Sequence, residues 1–297
     1  MTDANYQQPD GIQPTRLAIR VATAVVYALV MLGAIWFNKI PGLAGYGPLL
    51  LGGVVSVLAG VSASEFYAME RRESRLPNET FGVAAAATMP LAAAIWGLGG
   101  LTATVTALIA ASLVWHVTFV RVRTTDTATT VFGAVYTGFL LAYLVLIVRN
   151  FTSASAPTLG RDLALAVVLS VWANDSLAYL VGSTFGRHKM MPRISPKKSW
   201  EGFIAGALGT LLVWIAFALL FPASGVSLGL AIFIGAVMGG SVVIGDLFES
   251  RLKREAGVKD SGFALPGHGG FLDRLDSLIL VGLLAYWILH WGGVVHL

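Results

Sequence analysis

The sequence predicts an all-α polytopic membrane protein with about nine transmembrane helices. Of its 297 residues, 56% are hydrophobic and only 12% are charged, whereas about 25% are charged in a typical soluble domain. The apolar residues also form continuous runs, close to the roughly 20 residues that a membrane-spanning helix requires. Strands are not indicated, because the runs do not alternate and an open sheet cannot satisfy its backbone hydrogen bonds in lipid.

Nine apolar runs justify the predicted helices in order. They cover residues 17–37, 47–64, 80–98, 101–120, 131–148, 163–182, 203–221, 228–248 and 276–292. The first run is longer than the apolar core of a signal peptide, and no small-x-small cleavage site follows it. We expect a polar, flexible N-terminal tail at 1–15 and a single integral membrane domain at 16–297.

The distribution of basic residues predicts the orientation of these spans. If the N-terminus is cytoplasmic and the C-terminus outside, 17 of the 20 Lys and Arg lie in cytoplasmic segments, and only Lys39, Arg149 and Arg161 do not. This bias is the one that the positive-inside rule describes. We interpret Arg71 and Arg72 as topological. The chain has no cysteine, which excludes disulfides, thiolate nucleophiles and zinc–thiolate sites.

The segment "ISPKKSWEG" predicts an anion site at the start of the seventh helix. Ser195 is typical of a helix N-cap and Pro196 of the first helical residue, which would put Lys197 and Lys198 in the first turn. Free N–H groups and the helix dipole already favour an anion at that position. Two lysines there indicate that phosphate is bound.

Acidic residues gather near the predicted cytoplasmic face. Asp175 lies well inside the sixth run, where a charged side chain costs about 2.5–3.5 kcal/mol, so either a structural hydrogen bond or a function is expected. Asp246 and Glu249 end the eighth run on one helix face. Asp273 and Asp276 open the ninth with the same spacing, although acids also favour a helix N-terminus for purely electrostatic reasons.

Carboxylates mixed with cations predict metal-assisted phosphoryl or nucleotidyl transfer at the inner membrane face. Mg²⁺ commonly binds one or two carboxylates together with substrate phosphates, and Lys and Arg can hold the remaining phosphate oxygens. The turn Gly267-His268-Gly269-Gly270 lets the backbone approach closely and can present N–H groups to an anion. His268 is either a general base or, as we favour, a hydrogen-bond donor to phosphate.

The stretch "SRLKREAGVKDSGFALPGHGGFLDRLD" resembles the signature of the phosphatidate cytidylyltransferase (CDP-diacylglycerol synthase) family. That pattern is Ser-x-x-Lys-Arg, four residues, Lys-Asp, seven residues, His-Gly-Gly, two residues and Asp-Arg-x-Asp. The fixed positions are all met, by Ser250, Lys253, Arg254, Lys259, Asp260, His268, Gly269, Gly270, Asp273, Arg274 and Asp276. "NDSLAYLVGSTFGRHKMMPRISPKKSWEG" resembles the family's preceding block, so the expected catalytic region is about 174–277.

The resemblance implies a nucleotidyltransferase of phospholipid biosynthesis, which transfers CMP from CTP to phosphatidic acid with one or two Mg²⁺ ions. It implies Asp246 and Asp273 as first metal ligands, and Asp175, Glu249 and Asp276 as weaker ones. Further catalytic residues would be Lys253, Arg254, His268 and Arg274. Substrate phosphates would be held by Ser195, Lys197, Lys198, Ser250, Lys259, Gly269 and Gly270.

The resemblance also implies a location and partners. We expect the bacterial inner membrane, with the active site facing the cytoplasm, because CTP is cytoplasmic and the acyl chains are in lipid. Membrane lipids are expected partners, nucleic acid is not, and a homodimer stays open.

Two alternatives stay open on the sequence. One is a cytidylyltransferase for another lipid phosphate, because acyl recognition leaves no clear motif. The other is a secondary transporter for a phosphorylated solute, because Asp175 and the glycines of "GAVMGGSVVIGD" could belong to interrupted helices. Gly235 and Gly239 are more typical of a helix-packing surface, however.

Overall fold

The computed structural model describes residues 14–36, 46–153, 155–265 and 269–294, and these are mostly helical. The helices are α1 (Pro14–Trp36), α2 (Gly47–Arg72), α3 (Glu79–Thr118), α4 (Thr124–Ala134), α5 (Leu140–Asn150), α6 (Leu159–Phe185), α7 (Trp200–Leu220), α8 (Leu228–Glu255) and α9 (Leu272–Trp291). A π-helical turn, Val135–Phe139, joins α4 to α5, and a 3₁₀ turn follows α7 at Pro222–Ser224. Two short strands, β1 (Lys189–Met191) and β2 (Ser195–Ser199), pair antiparallel before α7.

Six helices within the described ranges are long and apolar enough to cross a membrane. They are α2, α3, the continuous helix Thr124–Asn150, α6, α7 and α8. The expectation of a helical membrane protein is therefore confirmed. The total of nine spans and the orientation of the termini stay predictions. The predicted tail lies almost entirely outside the described residues, because α1 begins at Pro14.

Gly97 breaks the long helix α3. Its backbone has φ 65° and ψ −147°, far from helical values, and glycine reaches positive φ at little cost because it has no Cβ. Arg149 from α5 packs against this break and donates a hydrogen bond to the carbonyl of Ala94. The third and fourth apolar runs are therefore separated by the break at Gly97 and not by a loop.

The continuous helix Thr124–Asn150, which contains the π-helical turn, lies in the middle of the bundle. All residues from Leu141 to Val148 are buried, as expected for a helix that is apolar on every side. This helix packs against α2, α3, α6 and α9. The core therefore surrounds α5, and α6 to α9 enclose the polar region beside it.

Glycines let α6, α7 and α8 approach closely. A Cβ on Gly206 of α7 would lie 2.7 Å from the side-chain oxygen of Asn174 on α6, and a Cβ on Gly239 of α8 would lie 2.9 Å from Cα of Ala207. Gly235 is equally tight against Leu211. The interpretation of Gly235 and Gly239 as a packing surface is confirmed, since small residues at this spacing allow close helix contact.

Candidate active site

A polar cavity of about 730 Å³ opens between α6, β2, α7, α8 and α9. The predicted site residues that line it come from four elements: Asp175, Ser195, Lys197, Lys198, Asp246, Asp273, Arg274 and Asp276. The two predicted conserved blocks, separated by two apolar helices in sequence, therefore meet in one cavity. Ser250, Glu249, Lys253, Arg254, Lys259, Gly269 and Gly270 do not line it. His268 and Gly267 lie outside the described residues.

The lysines of the basic segment lie on a strand, so the prediction of a helix N-cap at Ser195 is wrong. Ser195–Ser199 pairs with β1, and α7 begins only at Trp200. The N-cap is Ser199, whose Oγ accepts a hydrogen bond from the Gly202 N–H at 3.2 Å. Lys197 and Lys198 therefore line the cavity from strand β2 and not from the first turn of α7.

Asp246 is the carboxylate most directly coupled to the lysines. Its Oδ2 lies 2.7 Å from Nζ of Lys198, and its Oδ1 accepts a hydrogen bond from Oγ of Ser250 at 3.1 Å. Asp175 and Asp276 lie close enough to Asp246 for mutual electrostatic repulsion. The cavity thus brings several carboxylates close to one another, beside the cations that also line it.

Lys253 lies behind the cavity and bridges two acids. Its Nζ is 2.6 Å from Oε2 of Glu249 and 2.6 Å from Oδ1 of Asp273. The Glu249 side chain is only 1% exposed. A buried charge needs such a partner, because removing one member of the pair leaves the other unpaired. Position therefore favours a structural role for Glu249 and Lys253.

Asp273 connects the helix α9 to the segment that precedes it. Its Oδ2 accepts hydrogen bonds from the N–H of Ser261 at 3.0 Å, the Oγ of Ser261 at 2.9 Å and the N–H of Gly270 at 2.8 Å. Burial raises the pKa of Asp273, but contacts with Glu249, Lys253 and Gly270 outweigh it and hold the pKa below its ordinary value. These contacts stabilise the fold at neutral pH and are lost as the pH falls through the lowered pKa.

Glu65 on α2 is the residue that the sequence interpretation missed. Its side chain is buried and accepts hydrogen bonds from the N–H groups of Phe271 at 3.1 Å and Leu272 at 2.9 Å, and from Oγ of Ser261 at 3.2 Å. The first N–H groups of a helix have no partner inside it, so Glu65 satisfies the start of α9 from about 200 residues away. An acid directly after the second apolar run was the available signal.

The paired glycines allow this close approach. Gly269 has φ 82°, and a Cβ there would lie 2.6 Å from Oδ2 of Asp273. A Cβ on Gly270 would overlap Ser261 and Glu65. The Gly270 N–H already binds Asp273. The Gly270 N–H is therefore engaged within the protein, and the expectation that the turn Gly267-His268-Gly269-Gly270 presents N–H groups to an anion stays a prediction.

Two signature cations lie away from the cavity. Arg254 donates to the carbonyl oxygens of Ile194 at 3.4 Å and Val258 at 3.1 Å, so it ties the end of α8 to the turn between the strands. Lys259 lines a separate cavity of about 480 Å³ together with Arg72. Neither is brought beside Lys197 and Lys198.

The donor set fits a hard divalent cation. No group of three or more His, Asp or Glu side chains within the described residues is arranged as a complete metal site. Mg²⁺ does not need one, since one or two carboxylates plus substrate phosphates suffice. Asp246, Asp276 and Asp175 are repelling oxygen donors that face one cavity, which suits a cation. Asp273 also lines the cavity, and both of its oxygens, like those of Asp246, already accept hydrogen bonds or pair with a lysine.

The chain is similar to known cytidylyltransferases. A sequence model described as Cytidylyltransferase family matches residues 18–291. A phosphatidate cytidylyltransferase of Pseudomonas aeruginosa is 34% identical over 278 residues, which cover 92% of this chain and 98% of that protein. One of Thermotoga maritima is 40% identical over 156 residues, or 51% of this chain and 55% of that protein. Phosphatidate cytidylyltransferase 5 of Arabidopsis thaliana, named chloroplastic, is 39% identical over 194 residues, or 58% and 47%. The last two alignments span about half of each relative.

We predict that Glu65→Gln loosens the start of α9. An amide presents one oxygen in place of two and adds a donor where N–H groups already point, and each buried N–H left unpaired costs about 1–3 kcal/mol. Hydrogen exchange at the amides of residues 261–272 should accelerate, and the melting temperature should fall. Glu70→Gln is the matched control, because Glu70 is also buried on α2 but pairs with the exposed Arg75. Equal exchange at 261–272 in both variants would contradict the prediction.

Proposed function

This chain belongs to the cytidylyltransferase family, and we propose that it transfers CMP from CTP to phosphatidic acid. The products would be CDP-diacylglycerol and pyrophosphate. The observation that carries the proposal is the single cavity in which Lys197, Lys198 and Arg274 face Asp175, Asp246 and Asp276. Both substrates are phosphates, so such a cavity suits each of them.

The chemistry requires positioning and charge stabilisation more than proton transfer. A phosphate oxygen of phosphatidic acid attacks the α-phosphorus of CTP, a new P–O bond forms, and the bond to the β-phosphate oxygen breaks. Its electron pair leaves with pyrophosphate. The attacking oxygen is already ionised, so neither a strong base nor a covalent enzyme intermediate is needed. Catalysis then comes from orienting two anions and stabilising the charge that moves.

The lysines and arginine of the cavity would hold the phosphates. Lys197 is exposed to the cavity, and Lys198 is paired with Asp246, so a bound phosphate would exchange for that carboxylate at the ammonium. Arg274 at the start of α9 would supply the fork of donors that suits phosphate oxygens. The start of α9 would be kept in place by the contacts among Lys253, Glu249 and Asp273.

We propose that the cavity also binds one or two Mg²⁺ ions. Asp246 and Asp276 would hold it, with Asp175 and Asp273 as further ligands. When bound, the ion neutralises phosphate charge that the cavity's cations do not reach.

Nine spans with a cytoplasmic N-terminus give the site access to cytoplasmic CTP. The support is the placement of 17 of the 20 Lys and Arg and the break at Gly97, which divides α3 into two segments. We place the protein in the bacterial inner membrane with the charged cavity facing the cytoplasm.

The alternatives are weaker on specific observations. A transporter would use interrupted helices, but α8 is continuous from Leu228 to Glu255, and its Gly235 and Gly239 pack against α7. A cytidylyltransferase for a different lipid phosphate shares the same cavity chemistry, so lipid competition is its test.

We predict that the purified protein forms a labelled lipid from labelled CTP, phosphatidic acid and Mg²⁺. Asp246→Asn should lower turnover by ~100-fold or more, because it removes charge at the centre of the cavity. The variant should still insert and purify. EDTA should inactivate the wild type, and Mg²⁺ should restore it. Full activity in chelator would exclude the metal, and the absence of any labelled lipid would exclude the function.

We predict unequal effects from two pairs of basic residues. Replacing Lys197 and Lys198 together by Gln should lower kcat/KM by more than about tenfold, because both line the cavity. Replacing Arg71 and Arg72 by Gln should change it far less, since neither lines that cavity. Equal losses would mean that the loops act only as a general basic surface.

We predict cytoplasmic exposure of the segment between α8 and α9. Phe263 is 92% exposed, and the chain has no native cysteine, so Phe263→Cys is a clean probe. An impermeant thiol reagent should label it in inside-out vesicles and not in intact cells. Ser155→Cys, exposed between α5 and α6, should behave in the opposite way. Labelling of position 263 in intact cells would overturn the topology.

A further inference from the structure

An apolar groove of about 530 Å³ lies between α1 and α2. Met31 and Leu58 line its buried side, exposed 1% and 7%, whereas Val26, Val30 and Val57 line it and are themselves exposed. Lining residues on α1 extend from position 22 to 31, which corresponds to ~14 Å of helix. The groove is apolar and runs along α1 for that length.

One end of the groove lies near residues that line the charged cavity. Leu265 and Phe271, from the segment between α8 and α9, line the groove, and Phe271 directly precedes the helix that carries the charged residues. Tyr27 of α1 lines the groove and lies close enough to Arg274 and Asp276 for electrostatic interaction. Both of those residues line the charged cavity. The apolar groove and the charged cavity thus lie close together at the start of α9.

We propose that this groove binds an acyl chain of the lipid substrate while the lipid phosphate lies in the charged cavity. The inference rests on the proposed function and adds where the apolar part of that substrate is recognised. A phosphatidic acid molecule carries its chains directly beside its phosphate, so its two binding sites must adjoin. The groove and the cavity lie close together, since Phe271 lines the groove and Asp273 and Arg274, just after it in the chain, line the cavity.

The groove also assigns a role to α1. Its Tyr27 lies near Arg274 and Asp276 of α9, and its apolar face toward α2 is only partly covered within the described residues. An acyl chain along Val26, Val30 and Val57 would complete that contact. Selection among lipid phosphates would then depend on chain length as well as on the phosphate.

The kinetic test fills the groove and compares two lipids. In Val57→Trp, the larger side chain should lower kcat/KM for dioleoyl phosphatidic acid at least about fivefold. It should change kcat/KM for dihexanoyl phosphatidic acid less than about twofold, and leave KM for CTP unaltered. Val114→Trp is the matched control, because both valines are 66% exposed and Val114 does not line the groove. Equal losses for the two lipids, or an equal effect of Val114→Trp, would overturn the proposal.

A second measurement uses the wild-type protein and does not depend on turnover. Phosphatidic acid with a photoreactive group on its acyl chain should cross-link to residues 22–31 or 54–58. Excess unlabelled phosphatidic acid should reduce that cross-linking, whereas phosphatidylcholine should not. Cross-links only elsewhere, or equal competition by the two lipids, would identify ordinary bilayer contact and overturn the proposal. If the wild type forms no labelled lipid from CTP, the proposed function fails, while the cross-linking result still decides the groove.

Discussion

The start of α9 is held by two buried carboxylates, and the geometry of the site depends on that contact. Glu65 accepts the N–H groups of Phe271 and Leu272, and Asp273 accepts those of Ser261 and Gly270. Each acid is costly to bury alone. Lys253 and Ser261 also donate to these carboxylates, so the groups form one hydrogen-bonded network. This network fixes the direction in which the side chains of Asp276 and Arg274 leave the helix.

The signature therefore divides into two groups by position. Asp273, Arg274 and Asp276 line the cavity. The glycines, Ser250 and Lys253 hold the backbone and the neighbouring carboxylates in place. Positioning of this kind matters for a reaction between two anions, because small displacements of the groups that hold them weaken catalysis strongly. In sequence the motif is one cluster of charged residues. In the structure, part of it lines the cavity and the rest holds those lining residues in position.

The sequence predicted the helices because continuous apolar runs of about 20 residues have few other structures available in lipid. It predicted Asp175 because a charge well inside an apolar run is expensive, and Asp246 because acids and cations gather at the predicted membrane boundary. It predicted Lys198 from a helix N-cap at Ser195, whereas the N-cap is Ser199. It did not predict β1 and β2, since a pairing of so few residues within a basic loop leaves no periodicity. Nor did it identify Glu65, whose partners lie at the other end of the chain and whose role comes only from tertiary contact.

Lys198 and Asp246 form an ion pair, so two charged side chains of the cavity neutralise each other. A phosphate that bound Lys198 alone would leave Asp246 without its partner. A cation that bound Asp246 alone would leave Lys198 without its partner. A ligand that carries both signs can separate the pair and leave neither side chain unpaired. On the proposed function, this ion pair favours a nucleotide that binds together with its cation over a lone anion.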